Sequence, residues 1–345
     1  MGEYKLITDI SKINLDNWRE FVFNHPLGNV FQSPEMLQAY KGINNFKAEV
    51  ICVVKQNVII GILLYVIQKE GKGILSVLSS RSIIMGGPLA IDNDLKVIDL
   101  LLKEYKKNIG RRAIYTQFRN LFDIEFAHSI YAKNGFIYDK HLNILIDLTQ
   151  APEKLKSNIS KNRRGNISKS LNKGACFIEI KDKPKYLECV NLINKTYKRI
   201  GLPCPGEDYF LKFYDELHPK NILKSFALEV DKKLVGTRLE LCYKDTVYDW
   251  WAGADNKYKN FHPNDVIPFQ ILVWGHNNGY KTFDFGGAGK PGVPYGVRDH
   301  KMKFGGELVE YGRYLHIHKP FLYYMGIIGL KFYKIIKHGI FHRKK

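Results

Sequence analysis

The stretch Phe283-Asp284-Phe285-Gly286-Gly287-Ala288-Gly289-Lys290-Pro291 gathers the residue types most suited to chemistry. Small residues let a ligand approach the main chain closely, and their N–H groups can cradle an anion. Asp284 stands between two phenylalanines, so in a strand it turns to the face opposite theirs. That is a costly place for a carboxylate unless it is paired or lines a cleft. Taken alone, the stretch also fits a plain glycine-rich turn after an edge strand. A second concentration lies at Lys161-Asn162-Arg163-Arg164, within a run from Glu153 to Lys173 that holds seven Lys or Arg and one acidic residue. Most of these charges read as a solvated helix face, yet adjacent arginines can clamp a diphosphate through bidentate hydrogen bonds.

The elements that must position these residues follow from local pattern. Lys281–Phe285 reads as the strand carrying Asp284, entered from a helix Asp265–Asn277 that Asn278-Gly279 stops. One long helix, Pro152–Asn172, is expected to carry both arginines. Ala48–Val54 and Val58–Ile67 form a hairpin, and so do Ser225–Val230 and Leu234–Tyr243, with Thr246–Ala252 as a further strand. The two hairpins resemble each other: Val54-Lys55-Gln56-Asn57-Val58-Ile59-Ile60-Gly61 parallels Val230-Asp231-Lys232-Lys233-Leu234-Val235-Gly236, one residue shorter. A later helix in each half ends Asn-Gly-aromatic, at Asn134-Gly135-Phe136 and Asn278-Gly279-Tyr280. Two coincidences in the same order point to an internal duplication. The expected division is a first domain over 1–148, a second over 149–315 and a basic, apolar tail over 316–345.

Length and charge bound the partners. The 345 residues suggest about two domains. With 45% hydrophobic and 25% charged residues, the chain can bury cores without a disulfide or metal staple. Five scattered cysteines form no C-x-x-C pair, and His316 and His318 lack nearby carboxylates, so no metal is expected. No apolar run approaches the roughly 20 residues that span a bilayer, and the first residues lack a signal-peptide core, so a cytoplasmic location is expected. A net charge of +19 favours phosphate-bearing partners: nucleic acid, nucleotide- or lipid-linked sugars, or an anionic leaflet. After Glu310 there are eight Lys or Arg and no acidic residue, and Phe321–Leu330 is almost wholly apolar. Phe321, Leu322, Met325, Ile328, Phe332, Ile335 and Ile336 could form one apolar face, followed by Lys331, Lys334 and Lys337. Either this face packs on the protein itself, or it holds the protein peripherally at the inner face of the cytoplasmic membrane.

The glycine-rich stretch together with Tyr295-Gly296-Val297-Arg298-Asp299-His300-Lys301-Met302-Lys303-Phe304-Gly305-Gly306 resembles the C-terminal signature of the Fem family. These transferases add amino acids to peptidoglycan precursors. The same pattern is similar to that of acyltransferase-like proteins of envelope and exopolysaccharide biosynthesis. Lys161-Asn162-Arg163-Arg164-Gly165-Asn166-Ile167-Ser168-Lys169 resembles the family's K-x-x-R-x-x-I-x-K segment. Phe31-Gln32-Ser33 looks like its early aromatic-Gln-Ser segment, with Met36 in place of the expected tryptophan and Lys41 about one residue late. The resemblance implies two tandem acetyltransferase-type (GNAT) domains, an α/β (α+β) fold with mixed central sheets flanked by helices.

It also implies roles. Lys301 would stabilise the oxyanion of acyl transfer, and Asp284 would orient the incoming amine or hold Lys301. Arg163, Arg164 and Lys41 would contact phosphates of the precursor. Gly286, Gly287, Tyr295 and His300, which replaces the family's aromatic residue, would line the substrate site. The donor stays open between aminoacyl-tRNA and acyl-CoA. Acetyl-CoA users of this fold carry a glycine-rich loop at a helix N-terminus, whereas Asp255–Asn264 has no glycine. A non-catalytic double domain that binds envelope precursors is the alternative of another class.

Overall fold

The computed structural model describes residues 4–70 and 79–329. Two compact units divide the chain, one running to Asp139 and resuming at Gly312, the other Lys140–Tyr311. The expected divisions after Leu148 and at 315 are thereby redrawn. The run from Phe136 to Leu148, read as one strand, is two strands in different sheets.

The first unit holds β1 (Lys5–Ile7), α1 (Leu15–Asn24), α2 (Pro34–Ala39), β2 (Phe46–Lys55), β3 (Val58–Gln68), β4 (Arg81–Met85), β5 (Leu89–Ala90), α3 (Leu95–Ile109), β6 (Tyr115–Arg119), α4 (His128–Lys133) and β7 (Ile137–Asp139). The second holds β8 (Leu142–Asp147), α5 (Pro152–Asn158), α6 (Lys161–Asn172), β9 (Cys176–Glu179), α7 (Lys183–Ile200), α8 (Glu207–Leu217), β10 (Leu223–Val230), β11 (Lys233–Tyr243), β12 (Thr246–Ala254), α9 (Pro263–Asn277), β13 (Thr282–Gly287), α10 (Gly296–Met302) and β14 (Glu307–Glu310). The chain then returns to the first unit as β15 (Arg313–Ile317) and a helix over residues 320–329, here α11. Polar side chains set the helix starts: Asn14, Ser33, Asp94 and Asp182 each accept a first-turn N–H.

The sheets run β1-β2-β3-β4-β6-β15-β7, with β5 on β3, and β14-β8-β13-β12-β11-β10-β9. Each contains a parallel pair, β4 with β6 and β12 with β13. A helix lies between the members of each pair in sequence, α3 in the first case and α9 in the second, as a parallel connection requires. Both hairpins turn on two residues with positive φ, Gln56-Asn57 and Asp231-Lys232. Both shift register at the same offset, between Val53 and Val54 and between Leu228 and Glu229. The next glycine faces the crossover helix in each: a Cβ on Gly61 would lie 2.4 Å from Val97 of α3, and one on Gly236 2.5 Å from Pro263 of α9. The hairpins therefore correspond residue for residue, without the one-residue gap read from sequence. The partner of α9 is α3, so the two Asn-Gly-aromatic stops do not occupy equivalent positions.

The first core packs α3 residues Val97, Leu101 and Tyr105 against Leu63, Tyr65 and Phe118. The second packs Val266, Ile267 and Ile271 of α9 against Phe226, Val247, Phe283 and Phe285. Each fully buried side chain of this size contributes roughly 1.5–3 kcal/mol. The expected helix Pro152–Asn172 is broken at Ile159-Ser160, where Ile159 is extended.

Candidate active site of the second unit

Phe283 and Phe285 point into the second core, which turns Asp284 to the other face of β13, and that face is covered as well. Burial pushes the Asp284 carboxyl up to about 6, against the opposing pull of the Gly286 N–H and the Lys301 charge. Gly286, next to last in β13, has φ +70° and donates its N–H to Asp284 Oδ1 at 2.6 Å. The ladder between β12 and β13 joins 246–248 to 282–284. Past Asp284 the two strands share no recorded pairing, and on the other side the β8 register shifts between Asp284 and Gly287. The carbonyls at the end of β13 are thereby freed.

Lys301, from α10, occupies that end. Its Nζ donates to the Phe285 carbonyl, lies 3.5 Å from the Gly287 carbonyl and sits 5.6 Å from the centre of the Phe285 ring. Burial lowers the pKa of the ammonium, while the charges of Asp249, Asp284 and Glu240 hold it up.

Three of the residues acting on Lys301 were not singled out in the sequence. Arg238 on β11 pairs with Asp249 on β12. Glu240 stands opposite Asp249 in the ladder, at a bulge that leaves Trp250 without a partner residue. Glu240 is 0% exposed, and neither of its oxygens has a hydrogen-bond partner. Burial pushes its carboxyl well above the ordinary range, and the Asp249 charge pushes the same way. The alternation Thr237-Arg238-Leu239-Glu240-Leu241 carries the signal for this cluster, but in a strand that pattern reads as a solvent-facing side.

The two arginines of α6 part company. Arg163 turns inward, 2.7 Å from Asp265 Oδ1 on α9 and 2.7 Å from His300 Nδ1, with its guanidinium 4.4 Å from the centre of the Phe304 ring. Arg164 instead donates to the carbonyls of Ser157 and Ile159 at 2.7 and 2.8 Å, satisfying the end of α5. They do not present a joint diphosphate clamp. His300 is also fixed: an arginine can only donate, so Nδ1 accepts. Burial, with the Arg163 and Arg238 charges, holds its pKa down to about 4, so the ring is neutral near pH 7.

Tyr295 caps the start of α10 with its ring against Gly289 and is 40% exposed. Gly287 is exposed beside Lys301. Arg298, given no role in the sequence reading, ties the loop down through the carbonyls of Lys290 and Val293 at 2.9 and 2.6 Å. In the first unit Lys41 is exposed just after α2. The Phe31-Gln32-Ser33 segment is structural there. Buried Gln32 bridges the carbonyls of Leu64 and Met85 and accepts the Leu64 N–H, and Ser33 caps α2. Among the described residues, no group of His, Cys, Asp and Glu is arranged to hold a metal ion.

Comparison with known proteins bears on the fold. The family model described as an acetyltransferase (GNAT) domain matches residues 161–302, all of them within the second unit. Residues 161–302 of the second unit are thus matched as a GNAT domain. No curated protein sequence matches the chain. Among solved structures, FemX aligns with a TM-score of 0.72 and 15% identity, covering 93% of this chain and 99% of its own. The C-terminal domain of a putative lysylphosphatidylglycerol synthetase from Agrobacterium fabrum aligns with a TM-score of 0.57 and 14% identity, covering 88% and 91%. L-PGS from Bacillus licheniformis aligns with a TM-score of 0.51 and 16% identity, covering 75% and 81%. At these identities the likeness is one of fold, and it extends over both units. The chain has the tandem-GNAT fold of FemX, and the GNAT domain matched by the family model contains the Lys301 cluster.

Proposed function

We propose that the GNAT domain transfers an aminoacyl group from aminoacyl-tRNA to an amine on a nucleotide- or lipid-linked cell-envelope precursor. The observation that carries this reading is the excess of carboxyl groups around Lys301. Glu240, Asp249 and Asp284 act on it, against the two cations Lys301 and Arg238. A carboxyl in excess must hold a proton when buried. It can ionise against an incoming ammonium, which an aminoacyl group carries and an acetyl group lacks. The start of α9 supports the same choice. Pro263 opens it, and its first-turn carboxylate, Asp265, is already engaged by Arg163 and Asn166. A protein anion thus occupies a helix N-terminus of the kind that binds a CoA pyrophosphate elsewhere.

In this reading the acceptor amine, oriented by Asp284, attacks the ester carbonyl carbon. The tetrahedral oxyanion forms beside the Lys301 ammonium, which the carbonyls of Phe285 and Gly287 hold in place. Collapse forms the amide, and the amine's proton leaves with the terminal tRNA hydroxyl. His300 stays neutral and positions α10.

The test supplies labelled aminoacyl-tRNA and labelled acyl-CoA in separate reactions, each with nucleotide-linked and lipid-linked acceptors. Transfer from aminoacyl-tRNA is the expected result. Transfer from acyl-CoA alone would make the protein an acyl-CoA-dependent N-acyltransferase. Tight precursor binding without transfer from either donor would make it a non-catalytic binding module.

A further inference from the structure

Helix α11 turns an apolar stripe outward. Phe321, Tyr324, Met325 and Ile328 are 75%, 57%, 54% and 53% exposed. Their spacing of three, four and seven residues places them on one helical face. Another side of the helix is anchored: the Tyr323 ring meets Tyr115 of β6 edge-on at 5.4 Å, and Leu322 and Tyr323 are half-buried. Leu322 therefore leaves the face expected from sequence, and Tyr324 joins it. The stripe is not packed on the unit that carries it.

Charge indicates what covers it. From Gly312 to the end of the sequence there are eight Lys or Arg and no acidic residue. Arg313 and Lys319 precede the helix. Lys331, Lys334 and Lys337, with Phe332, Ile335 and Ile336 among them, lie outside the described residues and enter by sequence alone. A second copy of a chain carrying +19 would bring like charge to the same place. A nucleic acid would match the lysines but not the apolar side chains. An anionic bilayer matches both, apolar residues at the acyl boundary and lysines among the headgroups. We infer that α11 docks the protein on an anionic lipid surface, with the basic composition of the last residues of the sequence supplying the attraction. The helix lies in that surface and does not cross it, since no described helix is long and apolar enough to span a membrane. This docking is independent of which acyl group the GNAT domain transfers.

The full chain is tested by co-sedimentation with vesicles of phosphatidylcholine alone or mixed with phosphatidylglycerol, at low and high salt. Binding is expected to the mixed vesicles at low salt and to fall as salt rises. The quadruple variant Phe321→Ser, Tyr324→Ser, Met325→Ser and Ile328→Ser is expected to lower the vesicle partition coefficient by about tenfold or more. Because the four side chains are exposed, its melting temperature should match the parent. The triple variant Lys331→Gln, Lys334→Gln and Lys337→Gln should lose the preference for phosphatidylglycerol. Equal binding by parent and quadruple variant would overturn the inference. So would a parent that binds no vesicle while the quadruple variant melts several degrees lower or dissociates from a dimer, which would assign the stripe to the chain itself or to a second copy.

Discussion

Arg163 on α6 donates a 2.7 Å hydrogen bond to Nδ1 of His300 on α10, the residue before Lys301. Asp265 of α9 holds the same guanidinium. Three helices thus meet at one neutral imidazole, and the reach of Lys301 to the end of β13 depends on where that imidazole is fixed. The two α6 residues that resembled a phosphate clamp serve here as fasteners.

Replacing His300 by phenylalanine separates its protonation from its packing. Folded His300 titrates near about 4, against an ordinary 6.5, because burial and the Arg163 charge oppose its cation. The unfolded chain therefore binds protons more readily. The histidine's contribution to stability is full above 6.5, falls as pH drops, and levels off below about 4. Asp284 runs the other way, raised from 3.8 to about 6, so only the difference between parent and variant isolates the histidine. Urea unfolding should show that difference shrinking from pH 7 to pH 4, by less than about 1.4 kcal/mol per pH unit because the ring is half-buried and screened. A pH-independent difference would mean that His300 titrates alike in the folded and unfolded chain, and a difference that grows as pH falls would mean that it is charged in the fold.

Lys301→Met removes the ammonium and keeps much of the aliphatic stem. The loss of turnover is expected to reach about 100-fold or more, the scale of removing an oxyanion donor. The stability change should stay near 1 kcal/mol, since the main cost is an unpaired Phe285 carbonyl. Single-turnover kinetics with the substrates of the proposed reaction check the first point, and urea unfolding the second. Near-normal turnover would take Lys301 out of the mechanism.

Local pattern made much of this architecture readable. The hairpins, the Asn-Gly helix stops and the strand bearing Asp284 depend on neighbouring residues, and the hairpin likeness exposed the duplication. Which sheet a strand joins is a long-range choice, so the placing of β8 and β15 was hidden. So was the break at Ile159-Ser160, which answers to Arg164 taking the α5 carbonyls and to the Ser160 N–H bonding to the Lys303 carbonyl. Within the site, Asp284 stood out by type and spacing, and His300 and Lys301 through the resemblance to the Fem signature. Arg238, Glu240 and Asp249 did not, because alternating charges on a strand look solvated unless the covering helices are known.

Asp284→Asn tests the orienting carboxylate. The parent group is raised to about 6 by burial, so its charged form grows as pH rises through that value. If the carboxylate holds the acceptor amine, kcat/KM in the parent should climb through a limb centred near pH 6. The variant keeps an oxygen for the Gly286 N–H, and so should fold normally while losing that limb and most of the rate. A limb that survives in the variant would assign it to another group.

Glu240→Gln probes the most unusual side chain of the cluster. The parent carboxyl is fully buried, and its pKa in the fold lies well above 4.5. Its contribution to stability is therefore full below 4.5 and is lost as pH rises towards the folded value, because the unfolded chain ionises freely while the fold resists the charge. Glutamine is neutral throughout. Parent and variant should have similar stability near pH 4, and the variant should gain on the parent above that, by up to about 1.4 kcal/mol for each pH unit. Adding an amine-bearing acyl donor should reverse the trend, since its ammonium would let Glu240 ionise in place, and the variant would bind that donor more weakly. Donor affinity unaffected by the substitution would separate Glu240 from the substrate and leave the carboxyl excess around Lys301 without its proposed purpose.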